Sequence, residues 1–383
     1  MKYVCKNNYC RFENLPFYWH PLEDASDNRF PEFLPFELFY DKDSGLLRQR
    51  PDEKVTEIIN SAYSHGSEIV GLLDEKGIGN DYARDFLKFI DRCVGLGNIA
   101  GKEVLEIGCG KGYLLSQLQS QGAKVLGYEP GFSKIGKYPV PVINDFFPSA
   151  KVKERKFDII VAYELLEHAV DIDRVLDAIG ACLKDNGILL VSVPDCAEHI
   201  NNGDISMFIH EHFSYFTRDS LQYFMEKKGF MAKAIEKSGF GGCLYGAFAK
   251  STSKVRAQSI NKADLEKVFH RIDRNIQRMH NFILKQEGRE LGVYVPIRAL
   301  NILSLYRGLI EKLNVRLRFF DDSASLAGRY LPGFNIRIEN RDSLIKNPPD
   351  VILVYSFTFA KKIIETLKNS VPKEAAVVSI EDL

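Results

Sequence analysis

The stretch that most constrains this chain is Lys102-Glu103-Val104-Leu105-Glu106-Ile107-Gly108-Cys109-Gly110-Lys111-Gly112-Tyr113-Leu114-Leu115. It reads as a short buried strand, a glycine turn and the opening of a helix, the first unit of an alternating α/β fold. Such a turn is a ligand site for a physical reason. Glycines tolerate positive φ and carry no Cβ to keep a ligand off the backbone N–H groups. Glycine spacing alone is unspecific, but here the third glycine of the dinucleotide fingerprint is out of place and an acid, Glu106, precedes the first. A carboxylate there suits a cationic amino group and repels a pyrophosphate. The site therefore reads as one for an amino-acid-bearing nucleoside, which points to S-adenosylmethionine.

The residues that follow agree. Ala123-Lys124-Val125-Leu126-Gly127-Tyr128-Glu129-Pro130 reads as a second strand ending in Glu129, about 20 residues beyond the glycines, where a ribose-binding acid belongs. Asn144-Asp145-Phe146 sets an acid beside an aromatic ring, a pair suited to the adenine amino group and ring. Phe157-Asp158-Ile159-Ile160-Val161-Ala162-Tyr163-Glu164 reads as a further strand, and a helix is expected to start at Leu165-Leu166-Glu167-His168.

In this order the motifs E-I-G-C-G-K-G, Y-E-P, F-D-I-I-V-A-Y-E-L-L-E-H and L-K-D-N-G-I-L-L-V-S-V-P-D resemble the class I S-adenosylmethionine-dependent methyltransferases over roughly residues 100 to 200. The resemblance implies a Rossmann-like sheet, S-adenosyl-L-methionine as cofactor and S-adenosyl-L-homocysteine as product. It implies that Glu106, Gly108, Gly110, Glu129, Pro130, Asp145, Phe146, Tyr163, Glu164 and His168 line the cofactor site. Tyr63, in Tyr63-Ser64-His65-Gly66-Ser67, resembles a segment that folds over the cofactor's methionine end. A packed aromatic at a helix end explains Tyr63 equally well.

The later half carries a second resemblance. Phe319-Phe320-Asp321-Asp322, Ala327-Gly328-Arg329-Tyr330-Leu331-Pro332-Gly333 and Pro348-Pro349-Asp350-Val351-Ile352-Leu353-Val354 are similar to the C-terminal domain of bacterial C-methyltransferases acting on nucleotide-linked keto-deoxysugars. That family implies His212 as a base, with His210, Glu211 and Tyr215 beside it. Carbon methylation needs a base for the proton next to a ketone and stabilisation of the enolate oxygen. Departures are visible too: Ile209 replaces a tyrosine, Phe240 a histidine, and Val293-Tyr294-Val295-Pro296-Ile297-Arg298 a glycine-rich turn. Sugar-nucleotide contacts are accordingly expected at Arg298 and Tyr294.

The family's N-terminal zinc module is degenerate here. Cys5 and Cys10 are loosely spaced, and Asp41 and Ser44 stand where a second cysteine pair would be. Too few soft ligands remain for a closed tetrahedral site, so no metal is expected. Seven cysteines in 383 residues suggest no disulfide framework, and Cys93, Cys109, Cys182 and Cys196 read as reduced core residues. Lys plus Arg balances Asp plus Glu at 51 each, which leaves no nucleic-acid footprint. No apolar run reaches membrane-spanning length, and a soluble cytoplasmic protein, monomer or homodimer, is expected.

The expected layout is a small irregular strand-containing module over residues 1–55, with aromatics such as Trp19, and a methyltransferase domain over 56–250. A connecting helix over 251–290, striped by Leu265, Val268, Phe269, Ile272 and Ile276, leads to a C-terminal Rossmann-like α/β domain over 291–383. Residues 53 to 99 read as helices broken around Gly77 to Asn80. In the C-terminal domain one helix is expected over Ala299 to Lys312 and another from Phe359 to Lys368. Methyl transfer to a nucleotide-linked deoxysugar leads the functional readings. O-methylation of a sugar or other small-molecule hydroxyl is the runner-up, and a binding protein without turnover is the alternative of another class.

Overall fold

A computed structural model of the chain describes residues 3–18, 20–66, 73, 76–152, 155–239, 241–251, 262–357, 360–372 and 375–383. Trp19, Ser67, Phe240 and Phe359 lie outside the described residues, as does the side chain of Leu265. The chain divides into two compact units, Tyr40–Ala197 with Glu211–Ile260, and Met1–Phe39 with Glu198–His210 and Asn261–Leu383. This differs from the expected layout. The N-terminal strands group with the C-terminal half, and residues 198–210 leave the methyltransferase unit for the other.

The first unit is built on seven strands: β1 Glu103–Ile107, β2 Lys124–Tyr128, β3 Val142–Ile143, β4 Phe157–Tyr163, β5 Leu183–Pro194, β6 Phe230–Lys237 and β7 Cys243–Lys250. Their order is β3-β2-β1-β4-β5-β7-β6. β1 runs parallel to both β2 and β4, while β7 is antiparallel to β5 and β6. Both faces are covered, as parallel strands require. Leu105, Ile107, Ile160 and Ala162 enter one apolar cluster and Val104, Ile159 and Val161 the other, so alternate residues feed opposite cores. The order reverses at β1, whose neighbours are β2 and β4, and the crevice beyond their carboxyl ends is where open α/β sheets bind ligands.

Local structure departs from expectation at two places here. Gly77–Asn80 opens the helix Gly77–Val94 rather than breaking one, and the preceding helix Glu53–Ser64 ends earlier. Leu166–His168 forms a single 3₁₀ turn, and the α-helix starts only at Ile172, where the Asp171 side chain accepts from the Arg174 N–H. A capping acid, not the apolar pattern, marks the start. Thr217 caps Arg218–Lys227 with a reciprocal bond to Ser220.

The second unit carries a parallel sheet of β8 Glu290–Tyr294, β9 Arg316–Phe320, β10 Ile338–Glu339, β11 Val351–Val354 and β12 Ala376–Ser379, in the order β10-β9-β8-β11-β12. Val268, Phe269, Ile272 and Ile276 are buried along the helix Lys262–Leu284. The helix expected over Ala299 to Lys312 is two, Pro296–Leu305 and Arg307–Lys312. In the antiparallel pair Tyr3–Lys6 and Tyr9–Pro16, Cys5 faces Cys10 directly and the two form a disulfide. One disulfide thus stands where none was expected, and neither sulfur is a thiolate ligand. In the first unit Asp41 accepts a hydrogen bond from the Ser44 hydroxyl at 2.7 Å.

Gly127 in β2 is the closest approach of sheet to glycine turn. A Cβ there would lie 2.5 Å from Cys109 Sγ and 2.9 Å from Leu115 Cδ1. Gly127→Ala should therefore lower stability by about 1–3 kcal/mol, the usual cost of overpacking, and displace the turn. Chemical denaturation checks the first effect and cofactor titration the second.

Candidate active site

The glycine turn is fixed by its own backbone. Gly108, Gly110 and Gly112 take φ of 73°, 50° and 85°, left-handed values that other residues resist. The N–H groups of Gly108 and Cys109 donate to the Tyr128 carbonyl at 2.8 and 3.1 Å, which ties the turn to the end of β2. A Cβ on Gly112 would lie 2.7 Å from Val140 Cγ2.

Beyond these ends opens a cavity of about 390 Å³, within the usual range for a small-molecule site. Tyr63, Glu106, Gly108, Gly110, Glu129, Pro130, Asp145, Phe146, Tyr163, Glu164 and His168 all line it. Glu129 accepts from the N–H groups of Gly110 and Gly131 at 3.1 and 3.0 Å, which aims its carboxylate across the turn. Asp145 pairs with Lys151 at 3.1 Å, and Phe146 is 39% exposed. Asn60 and Thr56 also line the cavity from the helix that carries Tyr63. Their spacing of four and three residues along one helical face was a legible signal.

Glu106 is 2% exposed, and its Oε2 has no hydrogen-bond partner. Burial, with the nearby Glu129 charge adding, pushes its carboxyl up to about 8. A buried acid with an orphan oxygen at the rim of a glycine turn fits the ammonium group of S-adenosylmethionine, which would supply the missing donor.

The second cluster closes the cavity where Tyr63 and His168 meet. The His168 Nδ1 lies 3.1 Å from the Glu211 backbone oxygen and 3.0 Å from the Tyr63 hydroxyl. A carbonyl can only accept, so Nδ1 carries the hydrogen and Nε2 the lone pair. The Tyr63 hydroxyl donates to Glu211 Oε2 at 3.4 Å. The His212 ring meets His168 edge to face, centroids 4.8 Å apart, and Tyr215 is 1% exposed with its ring 6.4 Å from His212. Burial lowers both imidazoles, His168 to about 4 and His212 well below the ordinary value with His168 contributing. Both are neutral at pH 7, as a proton acceptor must be.

Of the residues expected beside His212, one is not in this cluster. His210 belongs to the other unit, fully buried with its ring 5.5 Å from those of Phe17 and Phe36. The boundary between the two units falls between His210 and Glu211. Tyr294 and Arg298 also belong to the second unit. The Tyr294 hydroxyl donates to Asp322 at 2.5 Å and accepts from Arg341 at 3.0 Å, whereas Arg298 is exposed in the first turn after β8. Between them Val295 takes φ 64°, a left-handed conformation unusual for a β-branched residue.

The residue that sequence reasoning missed is Glu167. It is fully buried, and neither carboxylate oxygen has a hydrogen-bond partner among the described residues. Its oxygen and one nitrogen each of His168 and His212 lie within 4.8 Å of one another. That spread is looser than the ~3.4 Å between donors on a tetrahedral ion with ~2.1 Å bonds.

Residues 79–234 match the methyltransferase domain family, and the match spans the glycine turn, the three acidic strand ends and the imidazole pair. The chain is an S-adenosylmethionine-dependent methyltransferase. It is 24% identical to the C-methyltransferase NovU of Streptomyces niveus over 310 residues, 74% of this chain and 73% of that protein. It is 33% identical to a ubiquinone biosynthesis O-methyltransferase of Bradyrhizobium diazoefficiens over 126 residues, 29% of this chain and 48% of that protein. Among solved structures it is similar to a 1,6-didemethyltoxoflavin-N1-methyltransferase of Burkholderia thailandensis, at 16% identity, 56% of this chain, 96% of that one and a TM-score of 0.38. Among the described residues no helix is long and apolar enough to cross a membrane.

The Glu106 carboxyl gives the ligand-free methyltransferase a pH signature. In the unfolded chain it ionises near 4.5 and in the fold near 8, so folding holds a proton that the unfolded chain has lost. Its penalty is absent below about 4.5 and grows as pH rises towards 8. Glu106→Gln should therefore melt above wild type at pH 8 without ligand, with the gap closing at pH 5. Saturating S-adenosylmethionine should reverse the order at pH 8, because only the carboxylate pairs with the ammonium. Thermal melts at both pH values check this.

Proposed function

We propose that this methyltransferase alkylates a carbon next to a ketone in a deoxysugar linked to a nucleoside diphosphate, with His212 as the base. The observation that carries this reading is a neutral imidazole pair beside the cofactor cavity, with His168 and Tyr63 in its wall and His212 and Glu211 packed against them. A neutral imidazole can take a proton from a weak carbon acid, and desolvation there strengthens every charge that develops. The likeness to a C-methyltransferase over three quarters of the chain supports carbon as the acceptor atom. On this reading the C-terminal unit holds the sugar nucleotide, with Tyr294 and Arg298 at the carboxyl end of β8, and the protein works in the cytoplasm as a monomer or homodimer.

The steps are few. Glu106 and Glu129 hold the cofactor by its amino group and ribose, with Asp145 and Phe146 at the adenine. His212 takes the acceptor's α proton and the resulting enolate carbon attacks the methyl group, leaving S-adenosylhomocysteine. A second reading, O-methylation, is favoured by the ubiquinone O-methyltransferase likeness across the cofactor motifs. It needs a base but no enolate.

The two are separated by exchange. With S-adenosylhomocysteine bound and a nucleotide-linked keto-deoxysugar in D₂O, wild type should exchange the α proton and His212→Ala should lose that exchange by about two orders of magnitude. Mass spectrometry of the product from labelled methyl donor should place the label on carbon. Turnover without α-proton exchange, with the label on oxygen, would establish the second reading.

A further inference from the structure

The Glu164 and Glu167 carboxyl groups are both withdrawn from water and interact with each other. Glu164 directly follows β4 with φ 47°, a left-handed backbone for a residue with a long side chain, and lines the cofactor cavity. Ser192 Oγ on β5 donates to its Oε1 at 2.6 Å. Strain of this kind is held where the surrounding structure determines it, most often at functional sites. Glu167 sits three residues on, behind the cavity wall. Its Oε1 lies 3.7 Å from the His168 Nε2, the nitrogen left with a lone pair because Nδ1–H is committed to the Glu211 carbonyl. Among the described residues no lysine or arginine pairs with either acid.

Two buried acids without a counter-ion disfavour a second negative charge beside the first. At rest Glu167 faces the lone pair of the His168 Nε2. Methyl transfer changes this. The acceptor C–H bond breaks, its proton goes to His212, and its electron pair becomes the enolate. The enolate carbon forms the new C–C bond as the S–CH₃ bond breaks and leaves its pair on sulfur. One positive charge disappears from the sulfonium and one appears on the imidazole.

We propose that Glu164 and Glu167 act as a single anion that serves as counter-ion to this moving charge. Glu164 answers the sulfonium before transfer, and Glu167 answers the imidazolium after it. Both are positioning residues, Glu164 for the methyl donor and Glu167 for the base. Because the attraction to the imidazole exists only once the proton has moved, it favours the transition state over the ground state. The second half of the assignment rests on the base role given to His212 above, and the first half does not.

The test uses the full chain. By calorimetric titration, Glu164→Gln should weaken S-adenosylmethionine by about tenfold or more and leave S-adenosylhomocysteine, which has no charge on sulfur, within about twofold. Glu167→Gln should leave both affinities within about twofold, lower kcat and α-proton exchange by about a hundredfold, and recover partly as Glu167→Asp. Equal weakening of both ligands by Glu164→Gln would overturn the sulfonium half, and this arm needs no acceptor. Unchanged kcat in Glu167→Gln would overturn the imidazolium half. So would Zn²⁺ or Mn²⁺ binding to wild type and not to Glu167→Gln, since the acid would then be a metal ligand. Failure of wild type to exchange the α proton counts against the acceptor reading alone.

Discussion

Negative charge withdrawn from water, with too little positive charge to balance it, is the constraint around which this site is arranged. Glu106 lies at the end of β1, Glu129 just beyond β2, and Glu164 and Glu167 beyond β4. Burial raises the pKa of all four. An isolated carboxylate in such surroundings is costly, and it is relieved by protonation or by a cation. S-adenosylmethionine brings two positive centres, an ammonium and a sulfonium. On the proposed reading, part of what holds the cofactor is the relief of a cost already present in the fold.

The sheet creates that concentration of acids by topology. β1 lies between β2 and β4 with all three parallel, so three chain segments far apart in sequence end at one edge. The glycine turn then lets the backbone pass close beneath the ligand, with its N–H groups partly spent on Tyr128 and Glu129. The imidazoles complete the other end. Their neutrality follows from desolvation, and the tautomer of His168 follows from the carbonyl it faces. In the proposed role, an imidazole that is neutral at rest is matched to a reaction that delivers a proton to it.

The second unit repeats the parallel-sheet plan without repeating the turn chemistry. After β8 the chain enters its helix through Val295 at positive φ and Pro296 at the first helical position, where a proline costs no hydrogen bond. The adjoining Tyr294, Asp322 and Arg341 satisfy one another. This edge is polar, hydrogen-bonded and rigid, unlike the open acidic edge of the cofactor site.

The acids and glycines that line the cavity were legible because each lies at a strand end or turn where chain periodicity and residue type coincide. Glu106 precedes its glycines, Glu129 closes a five-residue apolar strand, and Tyr163-Glu164 closes another. Sequence by itself determined the central strands Glu103–Ile107, Lys124–Tyr128 and Phe157–Tyr163, where the glycines turn the backbone, and which acids stand at the crevice, whereas the strands Val142–Ile143, Phe230–Lys237 and Ile338–Glu339 carry no such local signal. Tertiary structure alone decided the division into units, the removal of His210 from the site it was expected to join, and the disulfide between Cys5 and Cys10. It alone brought Glu167 and His168 beside His212, more than forty positions later in the chain. Burial, tautomer and charge balance belong to neighbours in space, and an isolated string of residues does not contain them.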